Sequence, residues 1–360
     1  MIRPDPTARA PASLPVAARP LRVGYLALTD AAPFVVAQEN GCYRRHGLRV
    51  ELRREIGWAT IREKIIYGEL DAAHAPAPML WSARLGLGCP PCEVLTALVL
   101  SLNGNAITLA RALREAGVRD LASLRDHALT VRRRQPLAFG VVFPWSSHHL
   151  LLRAWLKSGG IDPDRDVRIV IVPPAQMFRN LAAGTIDGYC AGEPWNSLAV
   201  RENVGWCPAW SAALDPGHVE KVLMVSQRFA DTRAAEHGAL VRALAEAAAW
   251  CDEPQHREPL AELLGGAAYL NLPARVIAPA LLGQFACDAQ RVESVPDFIA
   301  FHRRDAGIPA PEKAAALQRA LVSAGLLPAG TDPGLPQRLF RADLHRGFLS
   351  HHYHHDIATT

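Results

Sequence analysis
The chain has 360 residues, enough for about two domains at about 150 residues each. Its 49% hydrophobic and 21% charged content is that of a globular protein and excludes wholesale disorder, a coiled-coil rod and collagen. The formal net charge of +4, from 39 Lys and Arg against 35 Asp and Glu, is too small to argue for nucleic acid or a membrane surface. It is mildly permissive for an anionic ligand.

The first twenty residues, MIRPDPTARAPASLPVAARP, carry prolines at 4, 6, 11, 15 and 20. These interrupt the apolar run that a secretory signal needs. The segment 1–20 is expected to be a disordered leader and the protein cytoplasmic. No stretch reaches the roughly 20 apolar residues of a membrane span. Strands are expected at 21–28, 48–52, 70–75, 94–100, 137–143, 167–172, 186–191 and 221–225, where short apolar and β-branched runs are bounded by turn residues. Helices are expected between them. One opens at Asp30, read as its N-cap, and ends at Gly41. Others are expected at 61–67, 147–158, 234–251 and 313–325. This alternation predicts an α/β fold with mostly parallel sheets. The polar stretch 110–135 and the irregular run 207–220 are read as two crossings between lobes. The expected division is a first lobe at 21–110, a second at 111–220, a return to the first at 221–345, and a His-rich tail at 346–360.

Seven cysteines at irregular spacing suit free thiols. Cys89 and Cys92 form a CxxC, but in the run LGLGCPPCEV they read as a turn, and one CxxC cannot complete a four-ligand zinc site. The terminal histidines 351, 352, 354 and 355, with His345 upstream, are read as a mobile tail rather than a metal site. No metal and no cofactor is expected. GxSxG, P-loop, HExxH and GxGxxG patterns are all lacking. The nearest nucleophile and acid/base candidates, Cys190, His148 and Glu193, form no evident triad. An enzyme is therefore not expected.

Chemistry-bearing residues fall instead at strand–helix junctions, where open α/β sheets bind ligands. Trp58, in IGWAT, offers an indole N–H and a ring wall. Asn103-Gly104-Asn105 offers amide donors or a simple Asn-Gly turn. In FPWSSHH, Ser146 or Ser147 caps a helix whose N-terminus suits an anion, with His148 as a further donor. Gly192 ends a strand and allows close backbone approach. Lys221 leads into the apolar strand KVLMV, so its ammonium must snorkel or meet an anion.

The stretches VGYLALTDAAPFVVAQENG, GWATIREKIIYGELDAAH, FPWSSHHLLLRAWLKSGG, VPPAQM, YCAGEPWNS and HVEKVLMV, in this order, resemble the nitrate- and bicarbonate-binding solute-receptor family of ABC importers. NGNAIT at 103–108 and EPWNSLAV at 193–200 resemble its cytoplasmic nitrate/nitrite sensor branch most closely. The resemblance implies a two-lobed type II periplasmic-binding-protein fold that hinges shut on a ligand between the lobes. It implies ligand-binding roles for Trp58, Asn105 (a shorter amide where the importers' receptors use glutamine), His148, Gly192 and Lys221. Nitrate is planar, anionic and only accepts hydrogen bonds, so a cation and a ring of N–H donors suit it. By the same reasoning Lys221 should rest poorly in an empty closed cleft. Bicarbonate also donates a proton, and its receptor recruits calcium; Glu193, the obvious carboxylate of these motifs, is read as structural. The sensor branch further implies an RNA-binding antiterminator protein, held while ligand-free and released by nitrate or nitrite. The alternative is the substrate-binding component of a nitrate or bicarbonate importer.

Overall fold
A computed structural model describes residues 19–350. The leader expectation, save its last two residues, and the terminal histidines 351–355 lie outside the described residues. In chain order the first lobe begins with β1 (Leu21–Tyr25), β2 (Val50–Arg54), β3 (Ala72–Pro76), β4 (Val94–Leu95) and β5 (Val99–Asn103). The second lobe follows with β6 (Asn105–Ala110), β7 (Ala138–Val141), β8 (Arg168–Ile171), β9 (Gly188–Gly192) and β10 (Gly205–Trp210). The long β11 (Val219–Ser226) returns to the first sheet. A hairpin of β12 (Gln284–Ala286) and β13 (Val292–Ser294) and the short β14 (Ile299–Ala300) complete the strands.

The first sheet runs β14-β5-β11-β3-β1-β2, with β4 also on β11, and the second runs β10-β6-β9-β7-β8. Both are mixed rather than mostly parallel. β1 pairs parallel with β2 and β3, and β7 with β8 and β9, but β11 and β6 run antiparallel to their neighbours. The strands entering each lobe from the other break the parallel pattern that alternating helices suggested.

The first crossing is also shorter and earlier than expected. It is the step from Asn103 to Asn105 through Gly104, not the polar stretch 110–135, which folds as the helices Arg111–Glu115 and Leu121–Val131. Gly104 has φ of +92°, which a Cβ would strain, and Asn103 sits at +61°. The second crossing is 211–218. The two crossings are stitched together: Gly217 N–H donates to Asn103 Oδ1 at 2.9 Å, and Asn105 N–H donates to Ser211 Oγ at 3.1 Å.

β6 and β10 were not expected as strands. β6 was hidden because Asn-Gly-Asn reads as a turn. β10 contains Pro208, and the ladder between β10 and β6 slips between Trp206 and Ala209. Proline is accommodated at such an irregularity on an edge strand. Helices cover the sheets by burying one face each. Phe34, Val35 and Val36 of the Ala32–Glu39 helix pack with Leu240, Val241 and Leu244 of the Ala234–Asp252 helix in the first lobe. Leu151, Leu152, Trp155 and Leu156 of the Ser147–Ser158 helix pack on Phe139 and Ile107 in the second.

Candidate functional site
The carboxyl end of β9, the amino ends of β6 and β11 and the N-termini of two helices meet between the lobes. Trp58 opens the Trp58–Ile66 helix and is fully buried, as are Asn105, His148 and Lys221. Ser146 is the cap of the Ser147–Ser158 helix, its hydroxyl accepting from the His149 N–H. That cap aims Ser147 and His148 at the first lobe. Gly192 ends β9 opposite Asn105 in the β6 register. A Cβ built on Gly192 would stand 3.4 Å from Asn105 Oδ1, 3.5 Å from Asp30 Oδ2 and 3.8 Å from His148 Nε2. Its Cα hydrogens thus form one wall of the same seat. The Lys221 ammonium lies 5.4 Å from the Trp58 ring centroid. All five residues implied by the resemblance converge here.

Three further residues were not singled out. Asp30, read as a helix cap, makes no side-chain cap bond. Its carboxylate lies 2.6 Å from Lys221 Nζ and 3.2 Å from His74 Nε2. His74 is fully buried on β3, edge-on to the Trp58 ring at 5.2 Å and to Phe34 at 5.7 Å. The signal was a lone histidine in the apolar run DAAHAP. Glu220 is fully buried, and its carboxylate accepts from Lys221 Nζ and Asn105 Nδ2, each at 2.5 Å, and from the Ser147 hydroxyl. His218 Nε2 lies 3.1 Å and His148 Nε2 3.5 Å from it.

Adjacent strand residues normally face opposite ways, so Lys221 pointing inward should send Glu220 outward. The pairing of β11 with β5 slips on both sides of Lys221, where Val219 faces Leu102, Lys221 faces Ser101 and Val222 faces Val99. Glu220 is the extra residue of this bulge, and bulges re-aim side chains. Both neighbours therefore reach the seat. Lys221 is not an unpaired cation in an empty cleft: two carboxylates hold it, and the expectation that it rests poorly is overturned.

The electrostatics follow from burial and these pairs. Burial alone would discharge Lys221, but Asp30 and Glu220 hold its pKa above the ordinary lysine value. Burial likewise opposes charge on the carboxylates, yet Lys221 together with the facing histidines lowers Asp30 and holds Glu220 well below the usual carboxylate range. Desolvation pushes His148 down to about 4 and His74 below its ordinary value. Trp58 Nε1, Asn105 Oδ1 and His148 Nδ1 are buried without hydrogen-bond partners. The seat thus holds an ammonium, two carboxylates, the unpaired N–H of Trp58, an unpaired imidazole and one unpaired amide oxygen. Glu193 stands apart, its carboxylate accepting from the Ser197 N–H at 3.3 Å, and burial raises it to about 7. Cys190 is buried and its thiol is pushed well above the usual range, which removes it as a nucleophile. No group of three or more His, Cys, Asp and Glu suited to a metal occurs among the described residues.

Comparison with known proteins places these features. The model of the NMT1-like family matches residues 15–265. The chain belongs to that family. It is 41% identical over 293 residues to the nitrate import ATP-binding protein NrtC of Synechocystis sp., covering 80% of this chain and 43% of that one. It is 42% identical over 259 residues to the bicarbonate transport ATP-binding protein CmpC of Synechococcus elongatus, covering 71% of this chain and 39% of that one. The chain thus spans about two fifths of the length of these relatives. Against the nitrate/nitrite binding protein NrtA of Synechococcus elongatus the identity is 30% over 340 residues, covering 90% of this chain and 76% of that protein. The crystal structure of the periplasmic nitrate-binding protein NrtA from Synechocystis superposes with a TM-score of 0.88 at 27% identity, over 92% of this chain and 88% of that one. The two-lobed periplasmic-binding-protein fold and membership of the solute-receptor family are established by these likenesses.

Proposed function
We propose that this chain binds a small oxyanion of the nitrate class between its lobes, as the solute-binding part of an ABC-type import system. The observation that carries the reading is the convergence of Lys221, Asn105, His148 and Trp58 on one buried seat walled by Gly192. The nitrate-binding names of the relatives supply the ligand class. Calorimetric titration with nitrate and nitrite tests it: saturable binding of either is expected, and heats of dilution alone would refute it. Bicarbonate is a second reading with an observation of its own. Its O–H is a donor, and the carboxylates of Asp30 and Glu220 supply acceptors that nitrate cannot use. A parallel titration with bicarbonate ranks the two.

The narrower role, a cytoplasmic sensor that holds an RNA-binding antiterminator until nitrate or nitrite arrives, is supported by the segments 103–108 and 193–200 alone. The relatives named above carry importer and binding-protein names, and they favour the receptor reading over the sensor. Purification from the native cell separates the two: a sensor is recovered in the cytoplasmic fraction with a partner that millimolar nitrate releases. An unaffected complex, or none, removes the sensor role.

A further inference from the structure
We propose that the Glu220 carboxylate is an internal ligand, occupying the seat of the external oxyanion and competing with it. A carboxylate shares with nitrate and bicarbonate a planar pair of oxygens carrying one negative charge. Glu220 takes from the protein what such an anion would take. Lys221 supplies the cation at 2.5 Å, Asn105 an amide N–H at 2.5 Å and Ser147 a hydroxyl, with the His148 ring at 3.5 Å. Lys221, Asn105 and His148 are three of the five residues expected to hold the anion.

The donors come from both lobes. Glu220 and Lys221 sit on β11 of the first, while Asn105 on β6 and Ser147 and His148 on the Ser147–Ser158 helix belong to the second. The carboxylate therefore bridges the lobes, as a bound anion would. The bulge in β11 puts it there, since a regular strand would turn Glu220 away. A groove of about 730 Å³ lies on the other side of two of its partners: Ser147 and His218 line it, with Gly217 and Val219 among others, and both contact the carboxylate. His218, 3.1 Å from Glu220 on that side, offers a landing point.

An arriving anion must displace Glu220 and bear the repulsion of a carboxylate moved only a few ångströms. Glu220 accordingly sets the affinity. It also selects: an oxyanion with a proton to donate can keep Glu220 nearby as an acceptor, whereas nitrate cannot. The identity of the natural anion rests on the function proposed above; the self-occupied seat does not.

The test uses a carboxylate in solution. Formate should raise the melting temperature of Glu220→Ala, by refilling the vacated seat, and leave the wild-type protein unchanged. An equal response of both proteins, or no response of the variant, would overturn the proposal. Glu220→Gln keeps the side-chain volume and serves should the alanine variant fail to fold. It should bind formate, and any oxyanion the wild type binds, at least tenfold more tightly. Equal or weaker binding also counts against the internal ligand. Formate rescue without nitrate, nitrite or bicarbonate binding by any of these proteins would refute the receptor reading and leave Glu220's place intact.

Discussion
Replacing Lys221 by Met keeps the apolar stem and removes the charge, so packing changes little and electrostatics change much. The ammonium lies 2.6 Å from Asp30 and 2.5 Å from Glu220, all three residues being buried. Deleting one partner of a buried ion pair costs about 3–5 kcal/mol, because the other charge is left without compensation. Here one cation serves two carboxylates, so the upper half of that range applies, about 4–5 kcal/mol near pH 8. For a chain of this size that lowers the melting temperature by about 6 °C. The sign of the pH effect is a sharper test. In the wild type both carboxylates have lowered folded pKa values. Their contribution is present above the unfolded values near 4 and is lost as pH falls through the folded ones. Without Lys221, burial raises both folded values. Stability is then retained below the unfolded values and lost as pH rises. The deficit of Lys221→Met should therefore shrink between pH 8 and pH 5, read from urea denaturation at each pH. A deficit below about 1 kcal/mol at pH 8, or one equal at both, would show that the ammonium is not the counter-ion that the seat depends on.

Other substitutions separate the seat from its scaffold. Gly192→Ala adds a methyl at ordinary contact distance from Asn105, Asp30 and His148. Stability should change by less than about 1 kcal/mol, while oxyanion affinity by calorimetry should fall at least tenfold; unchanged affinity would take Gly192 out of the seat. Gly188→Ala places a methyl 2.8 Å from the Thr108 carbonyl oxygen and 2.9 Å from Phe139, between β6 and β7. Overpacking of about 1–3 kcal/mol should appear in denaturant melts. Glu193, raised to about 7 by burial, contributes stability that is complete below its unfolded value and lost as pH rises through the folded one. Glu193→Gln should abolish a decline of about 2 kcal/mol between pH 5 and 8; an identical pH profile in both proteins contradicts the raised value.

Much of the scaffold was legible because period-2 apolar runs and glycine-terminated helices are local signals. The Ser147–Ser158 helix, with its serine cap and its stop at Gly159, has the bounds that its sequence implies. What escaped depends on non-local geometry. The crossing at Gly104 looks like any Asn-Gly turn until β5 and β6 are seen in different sheets. Asp30 has the position of a helix cap, and its use against Lys221 appears only when β11 lies across the sheet from it. Glu220 escaped because alternation along a strand excludes it from the face of Lys221, and a bulge leaves no mark in the sequence. The ligand-type residues were recognisable as a set through family motifs, but their two internal counter-charges were not. The cation that the motifs offer to an anion is, in the folded chain, already paired with two carboxylates.

The placement of the crossings beside the seat has a mechanical consequence. Gly104 immediately precedes Asn105, and the second crossing ends just before Glu220 and Lys221. A rotation of one lobe against the other about these stitched links moves the atoms near the axis least and the outer rims most. The seat acts as a fulcrum. A small shift around the carboxylate would thus correspond to a larger excursion at the distant ends of the sheets.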